Sequence, residues 1–352
     1  MPKRKTRDLL LLALTSGVAA TFALSQGDVL ARKPGALVGN PASEIQSQVT
    51  TVAANVAGRT AGRHLGFDTY QYPGDEVMRN WRKNSPYEWV GYYLPVPCHK
   101  GRTWVGTRER LAEMGWGTAV VYVGQQTWDR SPSQWETRYR KTVKTGFVKK
   151  KVKRTRKVNG KTRVTHVTQR VPVKQTVLTP YKVKFDASKH GLESCNTNLV
   201  SASRGTLEAD DAIRRTEAEG FPRGSVIYLD LERMQIMPQE MRDYYKAWTA
   251  RVLADGRYRP GFYAHKHNAP TVFLDAKSVF ARVGAKGEPP MWVAGGRGFS
   301  TDKKPHEIGH KFTAVWQGIL DIHQSWNGHR LPIDVNVAAN PNPSSHENAY
   351  GE

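Results

Sequence analysis

Short apolar runs alternate with polar stretches of helical spacing over most of the chain beyond residue 63. The runs are rich in Val, Ile and aromatic residues, as expected of buried strands. The predicted strands are 64–68, 89–94, 118–123, 225–230, 259–264, 291–294, 313–317 and 333–336. Strands that alternate with helices predict a parallel sheet, and eight strands close a (β/α)8 barrel of the TIM type.

Helical spacing between these strands predicts helices over 75–84, 108–114, 207–219, 239–255 and 269–283. The third predicted helix carries Glu208, Asp210 and Asp211 in its first turn, and Pro238 precedes the fourth. Both features are typical of helix N-termini. No clear helical pattern follows the sixth strand, so we expect the last quarter of the barrel to be irregular.

The segment 138–184 departs from this alternation. It contains 17 of the 53 Lys and Arg residues and no Asp or Glu, so it supplies most of the net charge of +22. Asn159-Gly160 lies between two runs rich in Val, Thr, Lys and Arg, and this dipeptide is the strongest short-range signal for a tight β-hairpin. We therefore predict a long basic β-hairpin inserted after the third strand.

The first 31 residues have the pattern of a secretory signal peptide, with a basic start, a short apolar core and small residues before Ala31. A membrane anchor is the alternative, but polar residues interrupt the apolar run and Asp28 follows it closely. We expect cleavage, no transmembrane segment in the mature chain, and a secreted protein associated with the cell wall. The expected divisions are a signal peptide (1–31), a linker (32–63), the barrel (64–340) and a tail (341–352).

The chain has two cysteines, Cys98 and Cys195, which follow the second and third predicted strands. Because an exported chain meets oxidising conditions, we expect a single disulfide between them. Two unpaired thiols are the alternative.

Four carboxyl groups lie at or near predicted strand ends: Asp68, Asp230, Glu232 and Asp334. Such positions converge at the C-terminal mouth of a β/α barrel. Carboxyl groups at one mouth suit glycoside hydrolysis, which needs one protonated acid and a second carboxylate near the reacting carbon. We assign the acid to Glu232 because its side chain is longer. Structural pairing, for example of Glu232 with Arg233, is the alternative.

Aromatic residues accompany these acids at the strand ends. Aromatic rings stack on the apolar faces of sugars, so a ring of such residues favours a saccharide groove. The aromatic residues at these strand ends are Tyr70, Tyr92, Tyr93, Tyr122, Trp128, Tyr228, Tyr263, Trp292 and Trp316. Of these, the predicted sugar-binding residues are Tyr70, Tyr92, Tyr122, Tyr263, Trp292 and Trp316. The alternative is that many of them fill the barrel interior.

The stretch "HEIGH", residues 306–310, matches the H-E-x-x-H pattern of zinc proteases. Pro305 and Gly309 leave little room for the helix that this pattern requires, and no third ligand follows. We therefore expect no metal and no other cofactor.

The motifs "GFDTY", "GYYL", "VIYLDLE", "GFYA", "MWVAG", "AVWQG" and "IDVN" together resemble the glycoside-hydrolase-like domain family of unknown function found in exported actinobacterial proteins. That family is similar to the lysozyme-type muramidases of glycoside hydrolase family 25. The resemblance implies a general acid at Glu232 and stabilising or positioning roles for Asp68, Asp230 and Asp334. It also places Trp316, Gln317 and Asn336 at the site. Gly318 stands where the muramidases have Tyr, and no further acid aligns with the sixth strand.

We therefore expect a protein that acts on cell-wall polysaccharide or peptidoglycan, or one that binds wall glycan without cleaving it. The basic segment 138–184 is expected to bind an anionic wall polymer or lipid headgroups, because its positive charges repel one another. Nucleic acid is less favoured, since the segment has few aromatic residues for base stacking. A solvated arm without a ligand is the remaining alternative.

Overall fold

Eight strands close a barrel in the computed structural model, which describes residues 62–345. The barrel strands are β1 (His64–Asp68), β2 (Trp89–Tyr93), β3 (Gly117–Val123), β6 (Val226–Leu231), β7 (Arg259–His265), β8 (Met291–Ala294), β9 (Thr313–Trp326) and β10 (His329–Ala338). Strands β4 (Trp135–Val158) and β5 (Lys161–Lys184) form a separate ribbon. The predicted barrel is confirmed. The predicted signal peptide, most of the linker and the last seven residues lie outside the described part.

The barrel order is β1-β10-β9-β8-β7-β6-β3-β2. Neighbouring strands from β1 through β9 run parallel, whereas β10 is antiparallel to both β9 and β1. Strands β9 and β10 form a hairpin around Asn327-Gly328, so no helix separates them. The irregular last quarter is therefore a β-hairpin that brings the final strand back beside the first.

The helices are α1 (Asp75–Asn84), α2 (Arg108–Glu113), α3 (Ala202–Ala218), α4 (Gln239–Asp255), α5 (Ala269–Arg282) and α6 (Pro305–Ile308). Two short 3-10 turns, Ala187–Lys189 and Thr197–Leu199, precede α3. The predicted start of α3 at residue 207 is wrong. Ser201 caps the helix by accepting a hydrogen bond from the Arg204 N–H. Glu208 and Asp211 are buried acids within the helix that pair with its own arginines, rather than N-terminal signals.

Aromatic rings fill the barrel interior. Trp292 packs edge-on against Trp89, Tyr228 and Tyr263, with ring centroids 5.5–5.8 Å apart. A Cβ atom at Gly66 would lie 2.1 Å from the Trp89 ring, so only glycine fits at this position of β1. Close packing of this kind leaves the barrel without a channel and confines any binding site to its ends.

The ribbon belongs to a compact unit of its own, Ser133–Lys189. Its two strands pair along their whole length of 24 residues each, from Trp135 opposite Lys184 to Val158 opposite Lys161. Asn159 and Gly160 both have positive φ values, 50° and 73°, as a type I′ turn requires. The predicted hairpin and its turn are confirmed.

Cys98 and Cys195 form a disulfide, as expected. Bonds of this kind persist in oxidising compartments and are rare in the reducing cytosol. Within residues 62–345, no helix is long and apolar enough to cross a bilayer. Residues 342–344 hydrogen-bond to the starts of β3 and β6, so the described chain continues to pack on the barrel beyond residue 340.

The disulfide joins residues 97 positions apart, so its loss should enlarge the unfolded ensemble considerably. We expect Cys98→Ala with Cys195→Ala to lower the free energy of unfolding by about 2–4 kcal/mol, measured by urea denaturation. Reductant should lower the stability of the wild type by a similar amount and leave the double variant unchanged. Equal stability of the variant and the oxidised wild type would contradict a structural role for this bond.

Candidate functional site

Asp68 and Asp334 lie opposite each other where β1 pairs with β10. Asp68 is 5% exposed, and three neutral groups donate hydrogen bonds to its carboxylate. The Tyr93 hydroxyl donates to Oδ1, and the amide groups of Gln317 and Asn336 donate to Oδ2, each at 2.8 Å. Although β10 runs antiparallel to β1, its pairing places Asp334 beside Asp68 at the same mouth of the barrel.

Asp230 lies near the end of β6, and Glu232 directly follows this strand. The buried side chain of Gln126, which follows β3, fixes this backbone by two hydrogen bonds. Its amide group donates to the Asp230 carbonyl oxygen at 2.8 Å, and its oxygen accepts from the Glu232 N–H at 3.1 Å. The Arg233 guanidinium lies 3.5 Å from the Gln235 side-chain oxygen instead of folding onto Glu232.

All four carboxyl groups line one cavity of about 210 Å³ at the barrel mouth. Its full lining is Asp68, Thr69, Tyr70, Tyr93, Cys98, His99, Val123, Asp230, Glu232, Asp321, Pro332, Ile333 and Asp334. Five of these residues are acidic and none is Lys or Arg. The lining therefore contains no Lys or Arg that could pair with these acids.

Burial is the main cause that raises the pKa of each of the four carboxyl groups. Burial and the charges of Glu232 and Asp68 raise the pKa of Asp230 well above its ordinary range. Burial and the charge of Asp68 raise the pKa of Asp334 to about 8. Hydrogen bonds from Asn336, Tyr93 and Gln317 partly offset the effect of burial on the pKa of Asp68. Such a cluster shares protons and keeps some carboxyl groups neutral near pH 7.

The sequence pattern missed Asp321, the fifth acid of the lining. Asp321 has a left-handed backbone, with a φ of 52°, beside an irregularity in the pairing of β9 with β10. In this conformation its N–H donates to Oδ1 of Asp334 at 2.6 Å. Backbone strain of this kind is concentrated at functional sites. A local irregularity in a ladder has no period in the sequence, so no simple pattern could have found it.

Tyr70 and Tyr93 are the two aromatic residues of the predicted strand ends that line the cavity, and His99 joins them. The His99 ring lies against both tyrosine rings, with centroids 4.5 and 4.9 Å away. Burial lowers the pKa of His99 to about 4, so the imidazole is neutral at pH 7. His99 follows Cys98 directly, and its position next to the site depends on a loop that the sequence pattern did not resolve.

The structure places the other predicted aromatic residues away from the cavity lining. The Tyr92 hydroxyl donates to Glu219, which follows α3, and the Tyr122 hydroxyl donates to Asp211 within α3. Both hydroxyl groups therefore point to the outer helices. Trp292 and Trp316 are each 1% exposed, and their indole N–H groups donate to Asn336 and to the Gly295 carbonyl oxygen. Tyr263 is half-buried and donates to Gln317 at 2.6 Å.

Gln317 and Asn336 hold Asp68 and are themselves held by aromatic donors. The oxygen of the Gln317 amide accepts from Tyr263, and that of Asn336 accepts from Trp292 at 2.9 Å. The amide nitrogen of Gln317 also lies 3.2 Å from Oδ2 of Asp334. These contacts orient both amide groups toward the carboxyl groups, which is the geometry of positioning residues.

Gly318 lies under the ring of Phe299. A Cβ atom at position 318 would lie 1.8 Å from the Phe299 ring, so no larger residue fits there. An aromatic side chain from another part of the chain therefore covers the position at which the muramidases have Tyr.

The "HEIGH" stretch forms only the four-residue helix α6 and the turn after it. His310 contacts the Lys266 carbonyl oxygen at 3.2 Å. Among residues 62–345, no group of three or more His, Cys, Asp or Glu side chains is arranged to hold a metal ion.

A larger cavity, of about 560 Å³, lies at the start of β3 and β6, beside Thr118 and Ser225. It has Arg108 and Arg223 in its lining and none of the four carboxyl groups. This is the N-terminal end of the barrel strands, which in β/α barrels contributes to stability rather than to chemistry. The acidic cavity at the opposite strand ends is therefore the candidate site.

Three solved structures are similar to this chain. An uncharacterized B. stearothermophilus protein has 14% identity and a TM-score of 0.43, over 78% of this chain and 95% of that one. The Clostridium perfringens spore cortex lytic enzyme SleM has 12% identity and a TM-score of 0.42, over 82% and 70%. The catalytic domain of endolysin ply40 from bacteriophage P40 of Listeria monocytogenes has 9% identity and a TM-score of 0.37, over 80% and 95%. At these values the likenesses carry no functional conclusion.

No curated protein matches the sequence. Residues 79–338 match the family described as "Rv2525c-like, glycoside hydrolase-like domain". The match includes β2 to β10 and three of the four carboxyl groups, and Asp68 precedes it. The resemblance seen in the sequence motifs is thereby confirmed, and the chain belongs to the Rv2525c-like glycoside hydrolase-like domain family.

Proposed function

We propose that this protein is a glycoside hydrolase that cleaves a cell-wall polysaccharide of the peptidoglycan type. The observation that carries the proposal is the cavity at the barrel mouth, which five acidic residues line without any Lys or Arg. A carboxylate cluster maintained only for stability would be expected to contain neutralising cations, since uncompensated buried charge is costly. The volume of about 210 Å³ favours recognition of one sugar unit at the cluster.

In this proposal Glu232 is the general acid. Burial raises the pKa of its carboxyl group and favours the protonated form that the reaction requires. Its proton passes to the glycosidic oxygen as the bond from that oxygen to the anomeric carbon breaks. Asp68, whose carboxylate accepts three hydrogen bonds, supplies negative charge near the developing positive carbon, and Asp230 and Asp334 position the sugar. Water adds to that carbon, and its proton returns to a carboxylate of the cluster.

The proposed location is outside the cytoplasm, in association with the cell wall. The disulfide supports an oxidising compartment. The basic start and apolar core of the first 31 residues support export by the secretory route.

A glycan-binding protein that does not cleave is the second candidate. Both oxygens of Asp68 already accept hydrogen bonds from the protein. Oδ1 of Asp230 is buried and has no hydrogen-bond partner among the described residues. Of the five acids in the cavity lining, Asp68 and Asp230 are buried, and the more accessible Glu232, Asp334 and Asp321 remain to hold a sugar.

Release of new reducing ends from purified peptidoglycan and from wall polysaccharide tests the proposal. We expect release that increases linearly with the concentration of the full-length oxidised protein. Binding to the same glycans without any release of reducing ends would favour the second candidate and overturn hydrolysis.

A further inference from the structure

The basic hairpin has two faces of similar charge. In an antiparallel ribbon, residues directly opposite each other lie on the same face, and neighbours along a strand alternate between faces. The observed register therefore assigns the ten basic residues between 149 and 170 to two sets. Face 1 carries Lys149, Lys151, Lys153, Lys157 and Arg170, and face 2 carries Lys150, Arg154, Arg156, Lys161 and Arg163.

These charges have almost no partners within the hairpin. Its strands contain one acidic residue, Glu136, which pairs with Arg138 at the base, far from the turn. Arg170 lies over the Phe147 ring, with its guanidinium carbon 5.0 Å from the centroid, and Arg140 lies over Tyr181. The Lys and Arg side chains near the turn otherwise extend into solvent.

The charge density near the turn is that of a polyelectrolyte. The ten paired positions of each strand between 149 and 170 span about 33 Å, so one positive charge occurs per about 3.3 Å of ribbon. A single nucleic acid strand carries one phosphate per about 3.4 Å, which is a comparable density of the opposite sign. A linear polyanion with this spacing can therefore place about one negative charge beside each positive charge of this part of the ribbon.

The division of the positive charges between both faces distinguishes a planar membrane surface from a flexible polymer chain as the partner. A planar bilayer contacts one face of a ribbon and leaves the five charges of the other face in water. A flexible polyanion contacts both faces. The edges of the ribbon are also protected from pairing with other strands by these charges and by Pro172 and Pro180. Protection of the edges alone, however, requires neither such a high density of positive charge nor an equal division of that charge between the two faces.

The Trp, Tyr and Phe side chains of the two strands lie between the base and the middle of the hairpin. Trp135, Tyr139, Phe147 and Tyr181 are each at least 41% exposed, which is more aromatic surface than the sequence suggested. No aromatic residue lies between 149 and 170, where the charge is concentrated. Stacking platforms for bases are therefore absent from the charged part, and the phosphate backbone is the feature that it matches.

We propose that residues 149–170 bind a linear phosphodiester polymer of the cell envelope, through both faces of the ribbon. The placement of this polymer in the envelope rests on the proposed function, whereas the recognition of a linear polyphosphodiester rests on the hairpin alone. The polymer concentrates the protein where its glycan substrate occurs, and salt weakens this attachment by competing for the phosphates.

Binding to poly(glycerol phosphate) tests the proposal with the full chain carrying Glu232→Gln, in which no glycan is cleaved. With 8 to 10 phosphates neutralised, the logarithm of the affinity should fall with the logarithm of salt concentration with a slope of about −6 to −7. Polymer binding by this variant together with no glycan hydrolysis by the wild-type chain would refute the proposed function and leave this inference intact.

Two matched variants test the role of the faces. One replaces the five basic residues of face 1 by Gln and the other replaces those of face 2, so each removes five charges. We expect either change to reduce the salt slope by about half, since each removes half of the contacts. As a control, replacing each Lys of face 1 by Arg, and Arg170 by Lys, preserves the charge. This variant should bind poly(glycerol phosphate) with an affinity within about threefold of the parent chain.

Three results would overturn the proposal. The first is a salt slope near zero, or one that neither five-residue variant changes. The second is an effect of one face only, together with binding to phosphatidylglycerol vesicles, which would identify a bilayer as the partner. The third is affinity for duplex DNA more than tenfold above that for poly(glycerol phosphate), which would identify a nucleic acid.

Discussion

Replacing Glu232 by Gln should abolish nearly all glycan cleavage while the protein stays folded. The amide has the size of the carboxyl group but cannot donate a proton to the glycosidic oxygen. Loss of a general acid typically lowers kcat by a factor of about 10² to 10⁴. Gln126 holds the backbone of Glu232 rather than its side chain, so the substitution breaks none of those hydrogen bonds.

The measurement is kcat on solubilised wall glycan, accompanied by the thermal unfolding midpoint of each protein. Glu113→Gln is the matched control, because it makes the same chemical change on the exposed surface of α2 and should leave kcat unchanged. If Glu232→Gln retained more than about a tenth of the wild-type kcat, another group would have to be the acid.

Replacing Asp230 by Asn should stabilise the protein at pH 8. Burial and the charges of Glu232 and Asp68 hold the pKa of Asp230 well above its ordinary value in the folded state. A raised folded-state pKa contributes stability that is fully present below about pH 4 and is lost as the pH rises through the folded pKa. The wild type should therefore lose stability between about pH 4 and pH 8, and Asp334, with a pKa of about 8, adds to this loss.

Asparagine cannot ionise, so Asp230→Asn removes one contribution to this decline. Each group contributes at most about 1.4 kcal/mol per pH unit, and we expect the variant to exceed the wild type by about 1–3 kcal/mol at pH 8. Chemical denaturation at pH 4, 6 and 8 gives the comparison, with Glu113→Gln as the control. A difference in stability between the variant and the wild type that stays constant from pH 4 to pH 8 would show that the pKa of Asp230 is not raised in the folded state.

The barrel could be predicted because its strands are buried. Buried strands must consist of apolar residues, and these apolar runs are visible in the sequence. All eight predicted strands occur, and the Asn159-Gly160 turn depends only on the local preference for positive φ. The start of α3 could not be predicted from acidic residues, because the buried acids Glu208 and Asp211 pair with arginines of the same helix instead of marking its N-terminus.

Asp334 lies within β10, whose antiparallel direction the sequence did not show, and it faces Asp68 across the pairing of β10 with β1. Asp68, Asp230 and Glu232 were predictable because the C-terminal ends of parallel strands converge at one mouth of a barrel. The aromatic residues were not, since neighbouring residues of a strand point to opposite faces. In β2, Tyr93 points to Asp68 whereas Tyr92 points to Glu219 under the helices. The sequence alone does not say which of two adjacent tyrosines faces inward.

The most direct test of hydrolysis is cleavage of peptidoglycan in water enriched in ¹⁸O, followed by mass spectrometry of the released fragments. Hydrolysis at the carboxylate cluster incorporates one ¹⁸O atom at each newly formed reducing end, and we expect this mass increase with the wild type and not with Glu232→Gln. Fragments without ¹⁸O, or no fragments despite binding of the glycan, would contradict hydrolysis by this protein.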